Sequence, residues 1–344
     1  MAYKITIKST NHQFDANPDE SILDAALRQG LGLPYGCRNG SCGSCIGTLV
    51  SGEVHYPEGK PQALDGQAAD QVVLCQARAD SDLVVGVREV EDVKDVTVKI
   101  LPCRAEHLER LSDDVMKVLL KLPDSERIQF LAGQYIEFLL KDGRRRAFSI
   151  ANAPHRDEYL ELHIQYVPGG SFTGHVFEEM RDRALLRMEG PLGSFFLREN
   201  SQRPVLLVGG GTGFAPLKGM LEHAFHIGEQ RPIHLFWGAR SKRDLYLNEL
   251  PERWQKEHPN FRYTPVLSES TETDQWDGAT GLVTEAVAAA YPDLGGFDIY
   301  MSGAPAMVEA ATHLFASRGA DPEHMYSDSF EFARDVLDKI KQNG

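Results

Sequence analysis

The chain has 344 residues, an ordinary apolar content of 42% and a formal net charge of −14. At roughly 150 residues per domain, that length predicts two or three domains, each able to bury a core. The acidic balance disfavours a nucleic-acid partner, which needs clustered cations against phosphate. No apolar run approaches the roughly 20 residues of a membrane span.

MAYKITIKST alternates like a strand and not like a signal peptide, so a cytoplasmic location and no membrane partner are expected. In that compartment the five cysteines read as ligands or bystanders, not disulfides. DESILDAALRQG has helical period and stops at Gly30. YGCRNGSCGSC, residues 35–45, then sets Cys37, Cys42 and Cys45 close together, with Cys75 far behind. C-x4-C-x2-C…C is the plant-type [2Fe–2S] spacing. Gly36, Gly40 and Gly43 let a tight loop aim backbone N–H groups at the sulfurs. Zinc sites usually pair cysteines on both sides, and Cys75 has no such neighbour. Cys103 is left over and reads as a buried, inert thiol. CIGTLVSGEVHY is strand material, and the charged EVEDVKDV, residues 89–96, reads as a linker.

Residues 97–200 hold many short strand patterns punctuated by Gly and Pro: VTVKILPCRAE, DVMKVLLKLP, QYIEFLL, AFSIAN and LELHIQYV. They predict a β-barrel. From 203 to 335 the pattern changes to repeated βα units, which predict a doubly wound parallel sheet. Its first loop is GGGTGFAP, residues 209–216. It fails G-x-G-x-x-G because Phe214 occupies the last position. Gly209, Gly210, Gly211, Thr212 and Gly213 still follow a strand directly, and Pro216 suits a first helical turn, so the loop can cradle a pyrophosphate.

Residues 1–92 resemble plant-type ferredoxins. RRRAFSIAN (144–152), PGGSFTGHVFEEM (168–180), GGGTGFAP and YMSGAPAMVEAA (300–311), in this order, resemble the flavin and nicotinamide domains of the ferredoxin–NADP reductase superfamily. The resemblance implies a β-grasp ferredoxin domain, a six-stranded antiparallel flavin barrel and a parallel-sheet nicotinamide domain. The implied cofactors are a [2Fe–2S] cluster, FAD and NADH, with NADPH as the alternative nucleotide. It gives Arg146 to the flavin diphosphate and Phe148, in place of the more usual Tyr, to the isoalloxazine face. Ser149 falls beside the flavin N5. Gly169, Gly170, Ser171 and Thr173 fall at a phosphate-binding helix start, and Phe330 over the flavin.

Gly303, Pro305 and Met307 match the family's Cys-Gly-x-Pro signature, with Ser302 standing where the cysteine near the nicotinamide is expected. Ser149 and Ser302 are thus the candidate catalytic residues. Arg240, Lys242 and Arg243 could hold a 2′-phosphate, but Glu269 follows Ser268 where NADP-selective relatives tend to show Arg. Together with Trp276, Gly278 and Gly281, that favours NADH. The module order is similar to the reductase components of bacterial oxygenases. RRRAFSIAN, VPGGSFTGHVF and YSDSFEF bring it nearest to the CDP-6-deoxyglucoseen reductases, which serve a pyridoxamine-phosphate-dependent dehydrase. The expected path runs from NADH through FAD and the cluster to a protein acceptor docked at the Cys37–Cys45 loop. A redox carrier or sensor with an inactive nicotinamide domain, and a stand-alone flavin or ferric reductase, are the alternatives.

Overall fold

The computed structural model describes residues 2–93 and 96–331. Residues 94–95 of the expected linker and 332–335 of the expected third domain lie outside them. The chain forms two compact units that meet in sequence at Thr97 and Val98.

In the first unit, β1 (Tyr3–Ile7) and β2 (Gln13–Ala16) form a hairpin, and α1 (Ile22–Arg28) follows. The Ser21 hydroxyl accepts the Asp24 N–H at 3.0 Å and starts the helix; Gly30, at φ +78°, ends it. Ile22, Leu23, Ala25 and Ala26 turn inward. The remaining strands are β3 (Ile46–Ser51), β4 (Val54–His55), β5 (Gln71–Val73), β6 (Arg78–Ala79) and β7 (Leu83–Gly86). The sheet order is β2-β1-β7-β3-β5, with β1 and β7 parallel at its centre, a β-grasp arrangement; β4 and β6 pair separately. The stretch read as a linker begins anchored: Val90 is buried and its N–H donates to the Gly32 carbonyl at 2.9 Å.

The second unit opens with β8 (Lys99–Arg110), β9 (Val115–Lys121), β10 (Tyr135–Leu139), β11 (Arg145–Ser149), β12 (Leu160–Gln165), α2 (Ser171–Glu178) and β13 (Ala184–Leu192). Its six strands pair antiparallel in the order β11-β10-β13-β8-β9-β12. An antiparallel bridge between Ile150 and Leu162 joins the two ends into a barrel. Cys103 lies in the barrel core, where burial pushes its thiol up to about 12. Burial and a raised pKa disfavour the reactive thiolate there.

Alternating strands and helices complete this unit: β14 (Val205–Gly210), α3 (Phe214–His226), β15 (Ile233–Ala239), α4 (Glu249–Glu257), β16 (Phe261–Leu267), β17 (Ala279–Thr280), α5 (Val283–Ala290), β18 (Asp298–Gly303), α6 (Pro305–Ser317) and β19 (Met325–Ser329). The order β17-β16-β15-β14-β18-β19 is wholly parallel and reverses between β14 and β18, where ligands enter such sheets. Both faces are buried. One packs Leu206, Val208, Phe236 and Ile299 under α5 and α6. The other packs Leu207, Leu217, Trp237 and Tyr300 together with Phe195 and Leu197, which follow the barrel strands. Among the described residues no helix is long and apolar enough to cross a membrane.

His234 on β15 has one ring nitrogen 2.9 Å from the Tyr291 hydroxyl and the other 2.8 Å from the Thr264 hydroxyl. Burial, helped by the Arg262 charge, pushes its pKa down to about 4. The unfolded state binds that proton first, so the contribution is complete above about pH 6.5 and is lost as pH falls from there toward 4. Replacing His234 with Gln should therefore flatten the fall in Tm between pH 7 and pH 5. An unchanged slope would contradict the assignment.

Candidate functional site

The four cysteines expected to be ligands in the first unit pair two and two. Cys37 and Cys42 exchange backbone N–H to sulfur bonds, each 3.4 Å long, so the loop aims amides at its sulfurs as the glycines suggest. A Cβ at Gly36 would stand 3.3 Å from Cys42 Sγ, and Gly40 and Gly43 have φ of +85° and +76°. Cys45 lies against Cys75. The Leu74 N–H donates to the Cys45 carbonyl at 3.1 Å, which holds the neighbouring Cys75 on the loop. Arg38 braces the loop through Asp24, at 2.6 Å, and through its carbonyl, which accepts from Gln76.

The thiols crowd one another. Cys37 is pushed up by its bond to Cys42 and by burial, and Cys75 by its bond to Cys45 and by burial. Cys42 is drawn down to about 6, chiefly by the Cys37 side chain and then by Ser44, against its own burial. Four sulfurs in two pairs suit two irons. Among the described residues no three His, Cys, Asp or Glu side chains converge on a single ion. Cys37 and Cys42 are partly exposed, while Cys45 and Cys75 are buried.

In the second unit the C-terminal edge of the parallel sheet is built on close backbone approaches. A Cβ on Gly213 would lie 2.0 Å from the Ser302 carbonyl oxygen. One on Gly210 would lie 2.6 Å from Met307 Sδ, and one on Gly303 (φ +144°) 2.9 Å from the Gly210 carbonyl. At Gly213 and Gly303 the obstacle is backbone and only glycine fits; at Gly210 a larger residue would displace the Met307 side chain. The loop therefore presses on Ser302, Gly303 and Met307, the residues of the late signature. Thr212 is buried and Pro216 sits in the first turn of α3.

Ser302 stands opposite Gly209 on β14 and Asp328 on β19. It is fully buried and its hydroxyl has no hydrogen-bond partner. Such a group costs about 1–3 kcal/mol unless a ligand satisfies it. Asp328 reaches across to the barrel: Ser149 Oγ donates to its Oδ2 at 2.8 Å. Sequence reasoning missed Asp328, although a carboxylate two residues before Phe330 was a visible signal. The Phe330 N–H donates to the Gly303 carbonyl at 2.9 Å and brings that residue to the same edge.

Ser149, Ser302, Asp328, Phe330 and the glycine loop thus converge. Just before β11, Arg144 pairs with Asp142; on β11, Arg145 pairs with Glu137 and Glu189. Arg146 donates to the Arg145 carbonyl at 2.8 Å and is half-exposed. Phe148 tilts against Phe138 and Phe172 at 5.8 and 5.7 Å, which ties β11 to α2. Gly169 turns at φ +77°; Gly170 then starts α2 without a side-chain cap, and Ser171 opens the helix. The Thr173 hydroxyl accepts the Val167 N–H at 3.1 Å, so it closes this turn. That leaves the first-turn N–H groups, more than the Thr173 side chain, to suit a phosphate. The loops after β15 and β16 are zipped together, with the Glu269 N–H donating to the Arg240 carbonyl at 2.8 Å. The Arg240 guanidinium stands 4.0 Å from Asp114.

Comparison with known proteins matches this layout. Residues 5–80 fit the 2Fe-2S iron-sulfur cluster binding domain, 102–197 the oxidoreductase FAD-binding domain and 207–313 the oxidoreductase NAD-binding domain. The CDP-6-deoxy-L-threo-D-glycero-4-hexulose-3-dehydrase reductase of Yersinia pestis is 36% identical over 330 residues, covering 96% of this chain and 99% of that protein. The chain belongs to the iron–sulfur flavoprotein reductases. A terephthalate 1,2-dioxygenase reductase component of Comamonas is 33% identical, covering 96% of this chain and 98% of its own. The crystal structure of an Amycolatopsis cytochrome P450 reductase superposes with a TM-score of 0.78 at 32% identity, covering 95% of this chain and 98% of its own. The reductase is accordingly an electron-transfer oxidoreductase of [2Fe–2S], FAD and NAD.

The reductase's glycine loop yields a direct prediction. Gly213→Ala must displace the end of β18, so it should cost about 1–3 kcal/mol of stability and weaken NAD⁺ binding at least about tenfold. Thermal unfolding and nucleotide titration check this. Unchanged binding would mean that the loop is not the cradle.

Proposed function

We propose that the chain is an NADH-dependent reductase whose protein acceptor docks at the Cys37–Cys45 loop. Ser149, Asp328 and Ser302 form the corner where the nicotinamide meets the flavin. The observation that carries this reading is the Ser149–Asp328 bond, which joins the flavin barrel to the nucleotide sheet beside the orphaned Ser302 hydroxyl. When bound, FAD and the cluster supply the conversion of a hydride pair into single electrons.

The chain's own residues hold and shield that site. Ser302 and Ser149 are buried, which favours exclusion of water from the reacting edge. The Ser302 hydroxyl has no hydrogen-bond partner among the described residues, and the Ser149–Asp328 pair is a place where a proton can be held. Arg146 and the start of α2 suit the flavin diphosphate, Phe148 and Phe330 the ring faces, and Gly209–Gly213 the nucleotide pyrophosphate. The partly exposed Cys37 and Cys42 edge is the side from which a docked protein draws electrons.

NADH is preferred over NADPH because Glu269 would repel a 2′-phosphate, while Asp114 and Asp113 partly balance Arg240 and Arg243. The acceptor is a dehydrase acting on a nucleotide-linked deoxyhexulose. Full-length similarity to the Yersinia pestis dehydrase reductase supports it. An oxygenase component is the second reading, supported by the Comamonas relative.

Cys42→Ala tests the path. It should leave flavin reduction by NADH within about twofold and abolish one-electron delivery to a protein acceptor. Undiminished delivery would instead identify a stand-alone flavin reductase. Glu269→Arg should raise the NADPH-to-NADH ratio of kcat/KM at least about tenfold, read from initial rates. An unmoved ratio would place the discrimination elsewhere.

A further inference from the structure

Strand β12 alternates strictly. Leu160, Leu162 and Ile164 are buried in the barrel core, so Glu161, His163 and Gln165 share the opposite face. Each engages a different part of the nucleotide domain. Glu161 Oε1 lies 3.2 Å from Lys218 Nζ on α3. Lys218 is itself buried and donates to Glu222 at 2.9 Å and to the Ala151 carbonyl at 3.0 Å.

His163 has one ring nitrogen 2.8 Å from Glu161 and the other 3.0 Å from the Tyr246 hydroxyl. Tyr246 packs edge-on against Trp237, Trp237 stacks on Phe214 at 4.1 Å, and the Trp237 indole N–H donates to the Gly211 carbonyl at 2.9 Å. The Thr212 hydroxyl donates to Gln165 Oε1 at 3.4 Å, and Gln165 Nε2 donates to Asp114 at 3.1 Å.

The protonation states follow from the surroundings. Burial raises Tyr246, so its hydroxyl donates to His163 Nδ1. Burial also lowers His163 and outweighs its bond to Glu161, so the ring is neutral and Nε2–H donates to the carboxylate. Against burial, that bond and the Lys218 charge hold Glu161 at about 2.

We propose that the outward face of β12 sets the register of the glycine loop against the flavin barrel, with His163 and Gln165 as positioning residues for hydride transfer. An apolar contact tolerates sliding. A row of polar pairs does not, because a buried His163, Lys218 or Thr212 that loses its partner is penalised. The row ends on the loop itself, directly at Thr212 and through the Tyr246–Trp237 brace at Gly211. A small shift along it therefore moves the nucleotide relative to the flavin, and reacting geometry is steep in distance. The inference rests on the reading that Gly209–Gly213 carries the nucleotide diphosphate.

Tyr246→Phe and Gln165→Leu, made in the full-length protein loaded with FAD and cluster, test it. Stopped-flow mixing with NADH should show the limiting rate of flavin reduction falling about tenfold, while NAD⁺ titration gives a Kd within about threefold of wild type. FAD content, iron content and the dithionite-reduced cluster spectrum should not change. A limiting rate within twofold of wild type in both variants overturns the proposal. So does a loss confined to NAD⁺ affinity, which would mean binding and not positioning. Gln165 is exposed, so its variant reads out even where Tyr246→Phe fails to fold. Gly213→Ala separates the two failures. If it leaves NAD⁺ binding unchanged, the reading of the loop itself falls. If it weakens binding while both β12 variants keep the wild-type rate, only the positioning role falls.

Discussion

The second unit depends on one close approach. The Gly213 backbone lies so near the Ser302 carbonyl that no side chain fits between them. That contact seats the loop after β14 on the end of β18. Strand pairing carries the constraint to Asp328 on β19, and the Asp328–Ser149 bond carries it into the flavin barrel. Two elements nearly a hundred residues apart in sequence are thereby brought to one edge. Backbone approach thus seats the loop on the sheet, and side-chain bonds tie that edge to the barrel, which is how pre-organised sites keep reacting atoms in register.

Much of this was legible in the sequence, because the decisive signals are local. The cysteine spacing, the glycines between the cysteines, the many short strands and the later βα repeats each belong to one stretch of chain, and the fold follows them. The failed G-x-G-x-x-G test has a structural reason. Phe214, at its last position, is the first residue of α3 and a buried stacking partner of Trp237. The parts that were hidden are long-range pairings. LELHIQ announces a strand with a polar face, but nothing in it says that the face meets Lys218, Tyr246 and Thr212. Asp328 lies 179 residues from Ser149. Thr173 looked like a phosphate ligand by its place at a helix start, but its hydroxyl closes the preceding turn. Val90 looked like linker by its charged neighbours, yet it is buried on Gly32.

The two units divide the chemistry by what their residues can hold. The first offers four cysteine sulfurs in a loop whose amides face sulfur, a setting for single electrons. The second offers glycine approaches, a bare helix start and buried hydroxyls, a setting for nucleotides and for hydride. Serine at 302, in place of the expected cysteine, keeps a small polar group on β18 between Gly209 and Asp328. Its unpaired state is the clearest sign that the edge is built for a ligand.

The most direct measurement is anaerobic mixing of the loaded protein with one equivalent of NADH, followed by visible and paramagnetic resonance spectra. The account predicts bleaching of the flavin and the appearance of a reduced-cluster signal, with NADPH slower. Bound flavin and intact cluster that stay oxidised with both nucleotides would contradict it. That result would mark the chain as a carrier or sensor whose nicotinamide domain is silent.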